Sequence, residues 1–400
     1  MSREKTTIYR KGLGVQDKIK NRLEQDYFSG IVSYLKAHDF TLSSGGLTIY
    51  LAREFGFCYG VERAVNYAYQ TREKFPDRRI FLIGDMIHNP FVNRQLREMQ
   101  IEILPVPETG KEDYSFLKKE DVVVLPAFGI PVSTLELLKQ PGCILVDTTC
   151  GSVMSVWKRV ESYAKEGYTV LVHGKYWHEE TRATVSHALK APGGKYLVVL
   201  NKQEAQFVCD FIRRGGPREG FMEKFRQALS SDFDPDRDLQ KIGLANQTTM
   251  LRGESMEIAE MIKTALAARF GAKNLTKHFR NFDTVCSATQ DRQDAVVELL
   301  TQKKVDLMLV VGGFNSSNTG HLAEISSKYV PTFHIENAGC ILNDKAIRCR
   351  DAADGREKIK RDWLPIGPVK IALTAGASTP SSIIGEVVTQ LLAFHRKQIE

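Results

Sequence analysis

The chain has 400 residues, 42% of them hydrophobic, and a formal net charge of +7. That length suits two or three folded domains, and no apolar run reaches the roughly 20 residues a membrane span requires. Seven cysteines, odd in number and widely spaced, argue against a disulfide framework.

The mildly basic charge is not gathered into lysine- or arginine-dense blocks interleaved with aromatics. It therefore points away from nucleic acid and towards anionic substrates or acidic protein partners. The first 30 residues lack a secretory apolar core, and Glu4, Asp17, Glu24 and Asp26 fit a transit peptide poorly. The expected location is the reducing cytoplasm, with no membrane association.

In chain order, residues 1–46 read as a charged, partly helical extension with no evident chemistry. Short apolar runs then recur at 47–51, 80–83, 122–125, 144–146, 169–172, 196–200, 242–245, 307–311 and 369–373. They do not alternate in polarity, as expected of strands covered on both faces. Helix-period segments separate them; Ile258, Met261, Ile262, Ala265 and Leu266 are the clearest. The expected class is α/β with mostly parallel sheets. Residues 213–240 and 343–361, rich in charge, read as surface excursions.

Three cysteines share one local setting. The apolar run ending in Val146 leads through Asp147-Thr148-Thr149 to Cys150, and Val153, Val156, Trp157, Val160 and Ala164 then fall on one helix face. Cys58 precedes a helix with Val61, Ala64, Val65 and Ala68, and Cys286 precedes one with Val296, Leu299 and Leu300. A strand-to-helix turn offers backbone N–H groups and a helix dipole that favour a thiolate. Small buried apolar residues are the other reading of these cysteines. A structural zinc usually takes close ligand pairs, and there is no C-x-x-C here. A cubane iron–sulfur cluster with three cysteines leaves one iron open as a Lewis acid. Cys143 could offer a fourth ligand but lies about 20 Å from Cys150 at strand rise; Cys209, Cys340 and Cys349 are more remote in sequence.

Polar groups follow the other strand runs, where open α/β sheets bind ligands. They include His88-Asn89, His178-Glu179-Glu180-Thr181, Asn246-Gln247-Thr248-Thr249, Gly312 to Asn318, and Gly376-Ala377-Ser378. Glycines, hydroxyls and a helix expected from near Thr319 suit a phosphate, without the lysine of a Walker motif or a dinucleotide fingerprint.

These stretches, with Gly56-Phe57-Cys58-Tyr59-Gly60-Val61, Asp147-Thr148-Thr149-Cys150 and Cys286-Ser287-Ala288-Thr289-Gln290-Asp291-Arg292-Gln293, occur in order over residues 47–392. The chain resembles the 4-hydroxy-3-methylbut-2-enyl diphosphate reductase (IspH/LytB) family. The resemblance implies three α/β domains in pseudo-threefold arrangement around one [4Fe-4S] cluster held by Cys58, Cys150 and Cys286, with one open iron. The expected boundaries are 47–148, 149–285 with the insertion at 213–240, and 286–400. His88, His178, Ser316, Ser317, Asn318 and Ser378 would hold the substrate diphosphate, and Glu180 and Thr248 would deliver protons.

The implied reaction removes the allylic hydroxyl, giving isopentenyl and dimethylallyl diphosphates in the last step of the non-mevalonate pathway. Electrons would come from ferredoxin or flavodoxin. The turn Ala127-Phe128-Gly129 replaces the Ala-His-Gly of the best-known bacterial members, as in the cyanobacterial and plastid branch, and Gly151 stands where the family often has proline. The alternative reading is a phosphate-ligand binding protein or group transferase with structural cysteines.

Overall fold

The computed structural model describes residues 6–105, 112–352 and 354–399. It has three sheets in two compact units. The first unit comprises residues 1–10, 81–84 and 104–286; the second comprises 11–80, 85–103 and 287–400.

The first unit holds a four-stranded parallel sheet in the order Phe279–Asn281, Ile242–Asn246, Thr169–His173, Tyr196–Val199. It also holds parallel strands in the order Ile8–Tyr9, Ile144–Asp147, Val122–Leu125, with Ile80–Ile83 beyond them. Val122–Leu125 and Thr169–His173 are buried at every position. Helices cover both faces of such strands, so the apolar runs need not alternate.

The second unit is built on one large sheet. Its parallel centre runs Thr332–Ile335, Leu307–Val311, Val369–Ala375, Leu47–Leu51. Antiparallel strands extend both ends: Thr41–Ser44 beside Leu47–Leu51, and Ala346–Arg350 beside Thr332–Ile335. Ala346–Arg350 in turn pairs with Ile341–Asn343 and Glu357–Arg361.

Three expectations change. Residues 343–361 are not a mere surface excursion, because their strands place Ile347 and Cys349 in the core of the second unit. The stretch 213–240 is not merely a solvated excursion: Phe221, Phe225, Phe233 and Leu239 are buried in the same core as the Thr169–His173 strand. Charges at nearly every turn of the stretch obscure four apolar anchors. The extension supplies sheet edges: Ile8↔Leu145 and Tyr9↔Val146 pair it to one cysteine-bearing strand, and Thr41–Ser44 covers another. No helix among the described residues is long and apolar enough to cross a membrane.

Candidate functional site

Each sheet sends one of its strands to a cysteine. Leu47–Leu51 leads to Cys58, Ile144–Asp147 to Cys150, and Phe279–Asn281 to Cys286. Cys58 and Cys150 have extended backbone and cap the helices Tyr59–Lys74 and Gly151–Lys165; Cys286 immediately precedes Ser287–Gln302. All three lie outside any disulfide and are partly exposed.

The remaining four cysteines are sealed in cores at 0–2% exposure. Burial pushes the thiols of Cys143 and Cys209 up to about 11, and also raises that of Cys349. Thiolates are the ligand form. The three turn cysteines therefore fit a thiolate-held cluster, and the four core cysteines do not.

In the first unit, the turn bearing Cys150 is held from three sides. Its N–H donates to Ala127 O at 2.8 Å, Thr148 Oγ1 donates to Leu125 O at 2.6 Å, and Asp147 Oδ1 accepts the Thr149 N–H at 3.1 Å. Asp147 is also ion-paired to Arg10 at 3.1 Å, a contact that sequence spacing does not announce. Gly129, at φ +74°, lies so close to the Trp157 ring that an added Cβ would fall 2.3 Å from it. A side chain there would displace the turn or the tryptophan. The neighbouring Phe128 meets the His178 ring edge-on, with centroids 6.1 Å apart and planes at 74°.

His178 caps the helix Glu179–Ala188. Its Nδ1 accepts the Glu180 N–H at 3.1 Å, so the ring proton sits on Nε2, the nitrogen able to donate. Glu180 is buried at 3% exposure. Its two oxygens accept from Thr248 N–H at 2.6 Å and Thr248 Oγ1–H at 2.9 Å. Thr248 O in turn accepts the Cys286 N–H at 3.1 Å. One residue thus ties the acid to the cysteine turn. Neighbouring strands Thr169–His173 and Ile242–Asn246 bring the two loops together, with Gln247 Oε1 accepting from Thr181 Oγ1 at 3.2 Å and Lys175 N at 3.0 Å.

In the second unit, the adjacent strands Leu307–Val311, Val369–Ala375 and Leu47–Leu51 end on one edge and place three loops side by side. Ser316 caps the helix Ser317–Ser326 by accepting the Thr319 N–H, so the helix starts two residues earlier than the glycine-rich run suggested. Asn318 Oδ1 accepts the Ala377 N–H at 2.8 Å, while its Nδ2 is buried with no partner among the described residues. Ser378 Oγ donates to His88 O at 3.4 Å, and Ser378 O accepts Asn89 Nδ2 at 2.8 Å. Gly313 sits against His88, where a Cβ would come 2.3 Å from the carbonyl oxygen. Ala377 O accepts the Cys58 N–H at 3.1 Å, so the hydroxyl–amide cradle and this cysteine share a loop.

Arg292, at 4% exposure, donates to Gly56 O at 2.8 Å and braces the Cys58 turn. Its polar neighbours Gln290, Asp291, Gln293 and Asp294 gave no sign that this one charge would be buried. A helix N-terminus, three hydroxyl or amide side chains and a spare buried N–H suit an oxyanion.

Comparison with known proteins agrees with this arrangement. The 4-hydroxy-3-methylbut-2-enyl diphosphate reductases of Cyanothece sp. and Nostoc sp. are each 46% identical, over 96% of this chain and 94% of theirs. That of Gloeobacter violaceus is 43% identical over 96% of this chain and 91% of its own.

Among solved structures, (E)-4-hydroxy-3-methyl-but-2-enyl diphosphate reductase, the terminal enzyme of the non-mevalonate pathway, is 27% identical with a TM-score of 0.51. It covers 86% of this chain and 99% of that one. The fold is shared with the Plasmodium falciparum E-1-hydroxy-2-methyl-but-2-enyl-4-diphosphate reductase, at 23% identity, a TM-score of 0.60 and coverage of 86% and 87%. The family described as LytB protein matches residues 49–392, and the chain belongs to it.

Proposed function

We infer that this protein is a 4-hydroxy-3-methylbut-2-enyl diphosphate reductase, the last enzyme of the non-mevalonate isoprenoid pathway. The observation that carries the reading is the division of its cysteines: each sheet delivers one partly exposed thiol at a strand end, and the other four are sealed. Identity of 46% across nearly the whole chain supports it against a colourless binding protein or transferase.

Cys58, Cys150 and Cys286 hold one [4Fe-4S] cluster in this proposal, within three domains at 47–148, 149–285 and 286–400 arranged pseudo-threefold. When bound, the cluster supplies electrons one at a time and Lewis acidity at its iron without a cysteine ligand. Two electrons and two protons turn the allylic C–OH into C–H and water.

The residues divide the remaining work. Ser316, Ser317, Asn318 and Ser378, with His88 and His178, bind the diphosphate; His178 does so through Nε2–H. Glu180 holds the proton destined for the departing hydroxide, and Thr248 orients that carboxyl group through its N–H and hydroxyl. Burial of the pair excludes bulk water from the proton path. Electrons come from an acidic carrier protein, ferredoxin before flavodoxin.

The test is anaerobic iron and sulfide analysis with turnover of the allylic diphosphate. Wild type should carry about four irons and release both products. Cys58→Ser, Cys150→Ser or Cys286→Ser should each abolish the stable cubane, whereas Ala at Cys143, Cys209, Cys340 or Cys349 should leave iron content unchanged. Iron loss in any of those four overturns the three-ligand proposal.

A further inference from the structure

The three cysteine-bearing strands differ at their outer edges. Thr41–Ser44 covers Leu47–Leu51, and Ile8–Tyr9 covers Ile144–Asp147. Phe279–Asn281, the strand leading to Cys286, is itself the edge of its sheet. Its surface is cationic and aromatic. The Arg159 guanidinium stacks at 4.1 Å over Phe282, which is 43% exposed, and Arg280 and Lys241 lie 5.5 and 5.9 Å from the Tyr168 ring centre.

Arg159, Lys241 and Arg280 are exposed and form no ion pair among the described residues. The nearby carboxylates are Glu166 and Asp283, and Arg252 holds the latter at 2.7 Å. Charge on an edge strand also deters pairing with foreign sheets. That purpose does not account for Arg159, which is on the helix Gly151–Lys165, or for Lys241, which precedes its own strand.

We propose that this face, centred on Arg159, Lys241, Arg280 and Phe282, is where the acidic one-electron carrier docks. The inference rests on the functional reading above and adds the surface. Three cations without an ion pair among the described residues match an acidic protein, and an exposed aromatic beneath a guanidinium is the sort of anchor that interface centres use. The position also suits electron delivery. Arg159 lies nine residues along the helix from Cys150, about 13 Å at helix rise. Phe282 lies four residues from Cys286, at most about 14 Å of extended chain.

The test uses the anaerobic holoenzyme and a plant-type ferredoxin, measuring Kd by calorimetry and turnover from 0.05 to 0.5 M salt. Arg159→Glu with Arg280→Glu should raise Kd at least tenfold at low salt, with the gap closing as salt rises. Methyl viologen-driven turnover should stay within twofold of wild type. Phe282→Ala should weaken binding while keeping the wild-type salt slope. Lys303→Glu with Lys304→Glu, which changes the net charge equally elsewhere, should barely change Kd.

Equal losses from both charge-reversed pairs would overturn the surface and leave only bulk attraction. Unchanged affinity in the Arg159/Arg280 variant would overturn it too. Wild type that turns over with methyl viologen yet neither binds nor accepts electrons from ferredoxin would overturn the carrier assignment and the surface together. An enzyme inactive with either donor would instead defeat the functional reading itself.

Discussion

The two units carry different chemistry at the same kind of place. At its strand ends the first has two cysteines, a buried acid and a histidine whose ring proton is set by a helix cap. The second has one cysteine and a cradle of hydroxyls, amides and a helix N-terminus. In the proposed function the first unit supplies the proton donor Glu180 together with one diphosphate ligand, His178, and the second supplies the rest of the anion cradle. Substrate grip and proton delivery should therefore be separable by mutation.

Glu180→Gln gives the sharpest separation. The amide keeps its shape and can still accept from Thr248, but the acid is gone. We expect kcat to fall at least roughly 100-fold, the scale of general acid catalysis, with KM within a few-fold and iron content unchanged. A matching rise in KM would mean that Glu180 binds substrate and would break the division.

The cradle has its own pH limit. His334 Nε2 donates to Gly312 O at 2.9 Å, and burial pushes this imidazole down to about 4. Between that value and the ordinary value near 6.5, the unfolded chain binds the proton that the folded one refuses. The stabilisation is thus whole above about pH 6.5 and is lost as pH falls towards 4, on the order of 3 kcal/mol. Urea midpoints should decline across that window, and His334→Gln should flatten the decline.

Ser317→Ala removes one donor from the cradle without touching Glu180. Hydrogen bonds to charged groups contribute about 1.5 kcal/mol or more, so KM should rise roughly tenfold with kcat little changed. A fall in kcat alone would place Ser317 on the proton side.

The smallest effect is expected at Gly151, the first residue of the helix after Cys150. Apart from its chain neighbours and its own helix backbone, nothing lies within 4 Å of where its Cβ would stand, and Cys150 has the extended backbone, φ −61° and ψ 142°, that a residue before proline adopts. Gly151→Pro should stabilise the fold by about 0.4–1 kcal/mol, read as a rise in Tm, with activity retained.

How much of this was legible beforehand follows from the range of each interaction. Apolar runs, helix periods and the cysteine turn settings are local, so the sequence alone determined the α/β class, most strands and the three cysteines worth considering. The ordered family stretches carried the candidate residues as well. Other features needed partners distant in the chain. Phe279–Asn281 is a three-residue strand that exists through pairing with Ile242–Asn246, and Ile8–Tyr9 through pairing with Ile144–Asp147. The Arg10–Asp147 pair spans 137 residues, and the phenylalanines of 213–240 found a core that their charged neighbours concealed. Tertiary structure alone decided which cysteines were sealed, which carboxylate was buried against Thr248, and which cysteine-bearing strand kept an open edge. Those properties are set by what packs on a residue, and periodicity along the chain carries no record of that.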